Sequence, residues 1–519
     1  MPERALAHLH TATRRIPALF FAATVAVCVL GYHPLRAPIE LDNQTFFYIS
    51  ERAASGVPPH LSVVNHKHAL GHLLSGAAMV AGRAVGVDDV YAARALSILV
   101  CAGTVALVSM LTLRLTADPA TAFIAGLAML TFSGLLRQAA MGFRPQLFAT
   151  LFVVWSLTAF AAEKRVRAGA YGTCAFLCWQ PAGVVFAAVA AAALFDAKTL
   201  RMRVSQILGG AAAMLAGYEI YFILKGALRE QLFQTWVMAS YGSLNRPPGI
   251  FETLRFVLHP DAGTSLANSA VPASLLLVLI WLAVHCTRRW PDIVAILRMR
   301  PDVRATVLTA VGALAFTFVD HQAYPDKFVL MPFMSISAAL VFKAGAALGA
   351  RSTGSVATAA FGVRTSTRAA AARRHVSVVF AASTLFLSVL VVRGHKEYRV
   401  LGDELGAQRR LAVHVRSTDG STASIWAVGC LHLLALNHQP NYSPFGVFLD
   451  PRVRRYAGPD FRPLSGGRMP RVILWARAGK FRFPWLETEY DEHTVPELAS
   501  ESIRVWIRKP YLTSRETDC

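Results

Sequence analysis

Acidic side chains are scarce in this sequence: 31 Asp and Glu stand against 52 Lys and Arg, and all charged residues together make up 16%. With 54% hydrophobic residues and a mean hydropathy of +0.43, so little charge excludes a soluble globule. Cysteine is sparse too. Of seven, Cys28, Cys101, Cys174, Cys178 and Cys286 fall in apolar runs, and only Cys430 and Cys519 lie in the tail, so no disulfide framework is implied. There is no sustained heptad, low-complexity tract or internal repeat, which excludes coiled coils and solenoids.

What is present is basic charge and long apolar runs. From Arg393 onward there are 19 Lys and Arg against 14 Asp and Glu, so most of the formal +21 lies upstream. The excess sits in short loops between apolar segments, the pattern of cytoplasmic loops in a membrane protein, and not in a patch that would bind nucleic acid. The apolar runs are Ile16–Leu30, Ala92–Leu113, Pro119–Leu136, Gln146–Ala162, Ala168–Phe195, Gln206–Leu224, Val271–His285, Ala305–Val319, Lys327–Phe342 and Val376–Val392. Ala168–Phe195 is broken by Trp179-Gln180-Pro181. Only two short spans bent back at the proline keep Lys198, Arg201 and Arg203 on the same side as Lys164, Arg165 and Arg167.

The expected fold is therefore a polytopic α-helical membrane protein of about eleven spans, N-terminus inside and C-terminus outside. Residues 1–392 form its membrane part, with a first external loop at 33–90. Residues 393–519 read as a small α/β soluble domain, with strands at Ala423–Val428, Arg471–Ala476 and Ser502–Ile507 and a helix at Leu401–Val415. Arg14-Arg15 before the first run, and no small-residue cleavage site after it, predict an uncleaved first span.

Reactive side chains gather in Ile39–Leu74. Asp42 precedes an amphipathic segment carrying Phe46, Phe47, Ile49, Ala53 and Ala54. After Pro58-Pro59 come His66-Lys67-His68 and His72. A second amphipathic segment then sets Leu70, Leu73, Leu74 and Ala77 opposite His68, His72 and Ser75. Two interfacial helices, a carboxylate before the first and cations before the second, would hold charge at the lipid–water boundary. Further cations stand at other span ends: Arg137 and Arg144 bracket a turn, and Tyr324-Pro325-Asp326-Lys327 opens a late span.

This order resembles the C-type glycosyltransferases, polytopic enzymes that take a sugar from a polyprenyl-phosphate carrier, and most nearly the protein O-mannosyltransferase and lipid A aminoarabinose transferase family. Asp42 matches that family's loop acid but is followed by Asn43 instead of Glu. Lys67-His68-Ala69-Leu70 stands where the family has Lys-Pro-Pro-Leu, without either proline. The resemblance implies an inverting transferase of a mannose-like hexose or a pentose, with Asp42 as the catalytic base. It implies Lys67, Arg144 and Lys327 as phosphate cations, supported by Arg137, His66, His68 and Tyr324.

Such chemistry asks for few groups. Phosphate is already a good leaving group, so cations for its charge and one base for the acceptor's proton suffice, without the paired carboxylates of a hydrolase. The histidines suit hydrogen bonds to sugar or phosphate better than a metal, since no second acidic cluster accompanies them. Neither a metal nor a separate cofactor is expected. The partners are the polyprenyl-phosphate sugar, membrane lipid and a protein, lipid or glycan acceptor, in what reads as a bacterial plasma membrane. A transporter or flippase of a lipid-linked glycan is the alternative, yet carriers place ionisable residues at mid-span, where this sequence has mainly Glu219. A non-catalytic scaffold would leave Asp42 dispensable.

Overall fold

The computed structural model describes residues 2–40, 42–194, 200–241, 249–258, 271–278, 280, 297, 299–319, 324–344, 366–396, 402–419, 425–446, 451–458, 461–464, 468–476, 483–493, 495, 498 and 502–509. Helices dominate them. The first, α1 (Pro2–Tyr32), carries the opening apolar run, and its apolar part from Arg15 is mostly unburied, as a lipid-facing span would be. A short loop leads to α2 (Asp42–Ala54), the single turn α3 (Pro59–Ser62) and α4 (Leu70–Ala84).

Asp88 then caps α5 (Asp89–Thr116), accepting the Val90 N–H at 3.0 Å, and Ala117 in the left-handed region ends it. At ~1.5 Å per residue this helix exceeds the ~30 Å hydrocarbon core of a bilayer. Asp118 and Pro119 start α6 (Pro119–Leu130), which meets α7 (Ser133–Met141) at a bend of 63°. Next comes α8 (Pro145–Ala161), opened by a proline whose missing N–H costs nothing in the first turn.

The break at Trp179 is as the basic loops require. Trp179 is extended, Gln180–Gly183 forms a 3-10 turn, and α9 (Arg165–Cys178) packs against α10 (Val184–Leu194) across it. After α11 (Leu200–Leu224), short α12 (Leu228–Leu232) and α13 (Ile250–Leu258) lie in the long loop expected outside. Two further long helices follow, α14 (Pro301–Val319) and α15 (Ser366–Lys396). By length and composition, four described helices can cross a membrane, or five with the bent pair, and shorter apolar helices stand at Pro145–Ala161, Gln180–Leu194, Met331–Ala344 and Ser377–Val392. The second half of the run Val271–His285 and most of the loops Arg288–Arg304 and Lys343–Arg374 lie outside the described residues.

A four-stranded sheet of order β1-β2-β4-β3 lies beyond α15: β1 (Ile425–Val428) is parallel to β2 (Val472–Ala476), and β4 (Ile503–Arg508) is antiparallel to both β2 and β3 (Tyr490–His493). Trp426, Ile473, Trp475 and Trp506 pack on one face with Phe483 and Trp485. The other face meets α16 (Glu404–Asp419) and α17 (Leu431–Leu436), and its apolar core continues into Phe46, Phe47 and Ile49 of α2. The loop helices and the sheet thus share one hydrophobic core, which places them on one side of any bilayer.

The spacing of α4 sets His72 and Ser75 opposite Leu73, Leu74 and Ala77, and the structure shows which side turns in. His72 and Ser75 are buried with Gly76, Met79 and Gly82, while Leu73 and Leu74 are half-buried and Ala77 and Val80 exposed. The physical reason is the solvent: at a membrane boundary the apolar side can face lipid, and the small or polar side turns in against α2.

Candidate active site

The arrangement around Asp42 begins with how two loops are tied down. Arg94 of α5 is buried and donates to the carbonyls of Pro34 and Pro38 on the way to Asp42, and to that of Met141 at 3.0 Å on the way to Arg144. Gln408 of α16 grips the backbone of Ile39 from both sides, accepting its N–H at 2.8 Å and donating to its carbonyl at 3.2 Å. Gly142 and Phe143 both have positive φ, 79° and 73°. For Phe143 this costs about 1–2 kcal/mol, offset by burial against Phe47, ring centroids 4.9 Å apart. The turn delivers Arg144 as the residue just before α8.

Arg144 is nearly buried and reaches the exposed Asp42 at the start of α2, with Nη1 2.9 Å from Oδ2. Its Nε donates to Gln138 Oε1 at 3.1 Å, and the same oxygen accepts from Asn43 Nδ2 at 3.3 Å. The helix N-terminus favours the Asp42 carboxylate. Phe46, one turn along, is the hub: Lys67 Nζ and Arg144 Cζ each lie 5.6 Å from its ring centre, and the tilted His72 ring lies 5.2 Å from it. Gly71 lets α4 come this close, because a Cβ there would stand 3.1 Å from Pro145. Three residues read from the sequence, Asp42, Lys67 and Arg144, are therefore brought together. Beside them Arg137 Nη2 holds Glu40 at 2.7 and 2.9 Å.

The other expected residues lie around this group, not in it. His66 faces the C-terminal part: its Nε2 is 2.9 Å from Arg452 Nη1 in α18 (Pro451–Ala457), and its carbonyl accepts from Gln180. His68 is enclosed by Phe176, Tyr218 and Trp236, with centroids at 4.7, 6.0 and 5.9 Å. Burial lowers His68 and His72 to about 3, so both are neutral, and neither has a hydrogen-bond partner for its ring nitrogens. Lys327 is buried with Nζ 4.3 Å over the Phe256 ring, on a 3-10 turn packed against α8. Tyr324 opens that turn, and its side chain lies outside the described residues.

Sequence reasoning missed a second constellation. Glu51, fully buried in α2, and Asp89 share Arg83, at 3.4 and 2.6 Å, and His438 Nδ1 lies 3.1 and 3.8 Å from the same two carboxylates. Glu51, Asp89 and His438 could in spacing hold a metal ion. The Arg83 guanidinium supplies one positive charge against the two carboxylates, and a protonated His438 supplies a second. Glu51 and His438 lie 387 positions apart in the chain, so no local pattern announces them. An apolar groove of about 380 Å³ runs between α4 and α11, lined by Ala54, Leu73, Ala77, Val80, Met214 and Tyr221.

Comparison with family models and with curated proteins gives no match. Among solved structures, the chain is similar over 94% of its length to ArnT from Cupriavidus metallidurans in the apo state, with a TM-score of 0.62, 14% identity and 97% of that chain covered. The C-type glycosyltransferase fold is shown. ArnT bound to undecaprenyl phosphate matches at a TM-score of 0.60, with the same identity and coverage. The apo oligosaccharyltransferase of Archaeoglobus fulgidus matches at 0.53 and 12% identity, over 82% of this chain and 64% of that one. At such identities the likeness concerns the fold alone, so the chemistry rests on the residues around Phe46.

Proposed function

We propose that this protein is an inverting glycosyltransferase that moves a mannose-like hexose or a pentose from a polyprenyl-phosphate carrier to an acceptor outside the plasma membrane of a bacterium. The observation that carries the reading is the group Asp42, Arg144 and Lys67 around Phe46: one exposed carboxylate beside two cations, at the head of a membrane-side loop helix. In transfer the acceptor oxygen bonds to the anomeric carbon, and the carbon–phosphate oxygen bond breaks with its electron pair going to the phosphate. Asp42 takes the acceptor's proton. Arg144 and Lys67 stabilise the charge that grows on the departing phosphate, in a site lined by low-dielectric aromatic rings.

The fold resembles that of a protein solved with undecaprenyl phosphate, which supports a polyprenyl-phosphate donor here. In this reading the groove beside α4 takes the first isoprene units, Lys327, Arg137, His66, His68 and Tyr324 form the outer binding shell, and neither a metal nor a separate cofactor takes part. About eleven spans, with residues 1–392 in the membrane and 393–519 outside, complete it. The test is a transfer assay with purified protein in lipid, a polyprenyl-phosphate sugar and cell-envelope acceptor fractions, read by mass spectrometry. Sugar appearing on an acceptor supports the reading. Movement of intact lipid-linked sugar between leaflets with no transfer would replace the enzyme by a flippase.

A further inference from the structure

We propose that Arg144 is handed from Asp42 to the donor's phosphate, so that the base is released from its ion pair when the donor arrives, and that Gln138 is the positioning residue for this exchange. The inference rests on the reading above. In the present structure Arg144 Nη1 lies 2.9 Å from Asp42 Oδ2, and an ion pair of this kind favours the anion, so the carboxylate is a weaker base while it is paired than once it is released. Arg144 is nearly buried whereas Asp42 is largely exposed, with side-chain exposures of 7% and 63%. The guanidinium is therefore held at its inner end, and the carboxylate is the partner that water or substrate can reach.

A phosphate arriving beside Phe46 meets Arg144 and Lys67 together. A guanidinium binds phosphate in a bidentate fork, which a single bond to an exposed carboxylate does not match. During transfer the phosphate gains negative charge, so its hold on Arg144 strengthens as the reaction proceeds. One movement then does two things: it frees Asp42 and neutralises the leaving group.

Gln138 makes the movement small. Its Oε1 keeps Arg144 Nε at 3.1 Å and Asn43, next to Asp42, at 3.3 Å. Anchored at Nε and at the backbone before Pro145, Arg144 needs only to turn its outer Nη edge. Gln138 lies in the last turn of α7, and its amide oxygen bridges Arg144 and Asn43, the neighbour of Asp42.

The experiment is binding of undecaprenyl phosphate to the purified full chain, as a double-variant cycle. Asp42→Asn removes the competing carboxylate, so it should tighten binding roughly threefold or more in the presence of Arg144 and leave binding unchanged in the Arg144→Gln background. Gln138→Leu should weaken binding severalfold in the presence of Arg144 and leave it unchanged in the Arg144→Gln background. Equal tightening in both backgrounds would mean simple charge repulsion and would overturn the exchange, as would no tightening at all. Wild-type binding by Gln138→Leu would remove Gln138 from its role. Failure of the wild-type protein to bind undecaprenyl phosphate would overturn the functional reading itself, a different result from the others.

Discussion

At the scale of residues, the group around Phe46 predicts distinct outcomes for its members. Asp42→Asn keeps the shape and the hydrogen bond to Arg144 but removes the basic lone pair. Transfer should fall about 10²–10⁴-fold, the range for a lost general base, with expression unchanged. Glu40→Gln should leave most activity, because Glu40 is already held by both oxygens on Arg137. A full loss in Glu40→Gln with turnover intact in Asp42→Asn would move the base by two residues. Lys67→Ala should raise KM for the donor more than it lowers kcat, and Lys67→Arg should recover much of the loss, because both cations can sit on the Phe46 ring. Equal kinetics in Lys67→Ala and wild type would mean that the phosphate is held elsewhere. Asp42, Lys67 and Arg144 were legible because each follows or precedes a span end, where charge is expensive and therefore noticeable. Gln138 and Phe46 were not: a neutral amide and one phenylalanine among 30 carry no signal until the fold brings three loops to them.

At the scale of elements, the helices were legible wherever an apolar run was long, and β1, β2 and β4 wherever a strand was buried. Strand β3, Tyr-Asp-Glu-His, was not read, because only Tyr490 is buried and the rest of this edge strand is exposed and polar. Which face of α4 turns inward was not legible for a related reason: helical spacing locates a stripe but not the solvent it meets. The contact between α2 and the C-terminal part was invisible, and it carries a pH prediction. His438 faces Glu51 on α2 and Asp89 on α5, with Arg83 of α4 and Arg52 of α2 also charged nearby. Its hydrogen bond to Glu51 raises its pKa above the ordinary 6.5, against the lowering by partial burial. A raised folded pKa means the stabilisation is fully present below about 6.5 and fades as pH rises through the folded value. Protease release of the C-terminal part should therefore quicken as pH goes from 6 to 9 in wild type, and His438→Gln should remove most of that slope. Identical slopes in the two proteins would dismiss His438 as the titrating link.

At the scale of the whole molecule, the shared core settles a parity that hydropathy leaves open. Phe46, Phe47 and Ile49 of the first loop pack with Leu411, Val415, Ile425 and Val505, so the loop after α1 and everything from α16 to β4 lie on one side of the bilayer. An even number of crossings must separate them. The proposed eleven spans put ten between, with the last through α15. That crossing is short: its apolar part, Ser377–Val392, covers only ~24 Å at 1.5 Å per residue, less than the ~30 Å core unless the bilayer thins. Its side chains nevertheless look outward, since Val378, Leu385, Val389 and Val392 are all exposed, which a helix within a soluble part would avoid. The arginines flanking it decide direction. Lys343, Arg351, Arg364, Arg368, Arg373 and Arg374 precede it and Arg393, Lys396 and Arg399 follow it, so the larger positive cluster should stay inside. A reporter fused after Arg374 should then behave as cytoplasmic and one fused after Arg399 as external, scored by paired enzymes active on opposite sides. Both reporters on one side would remove α15 as a span. Because the shared core forbids moving the C-terminal part alone, another crossing between α1 and α14 would then have to be lost or gained.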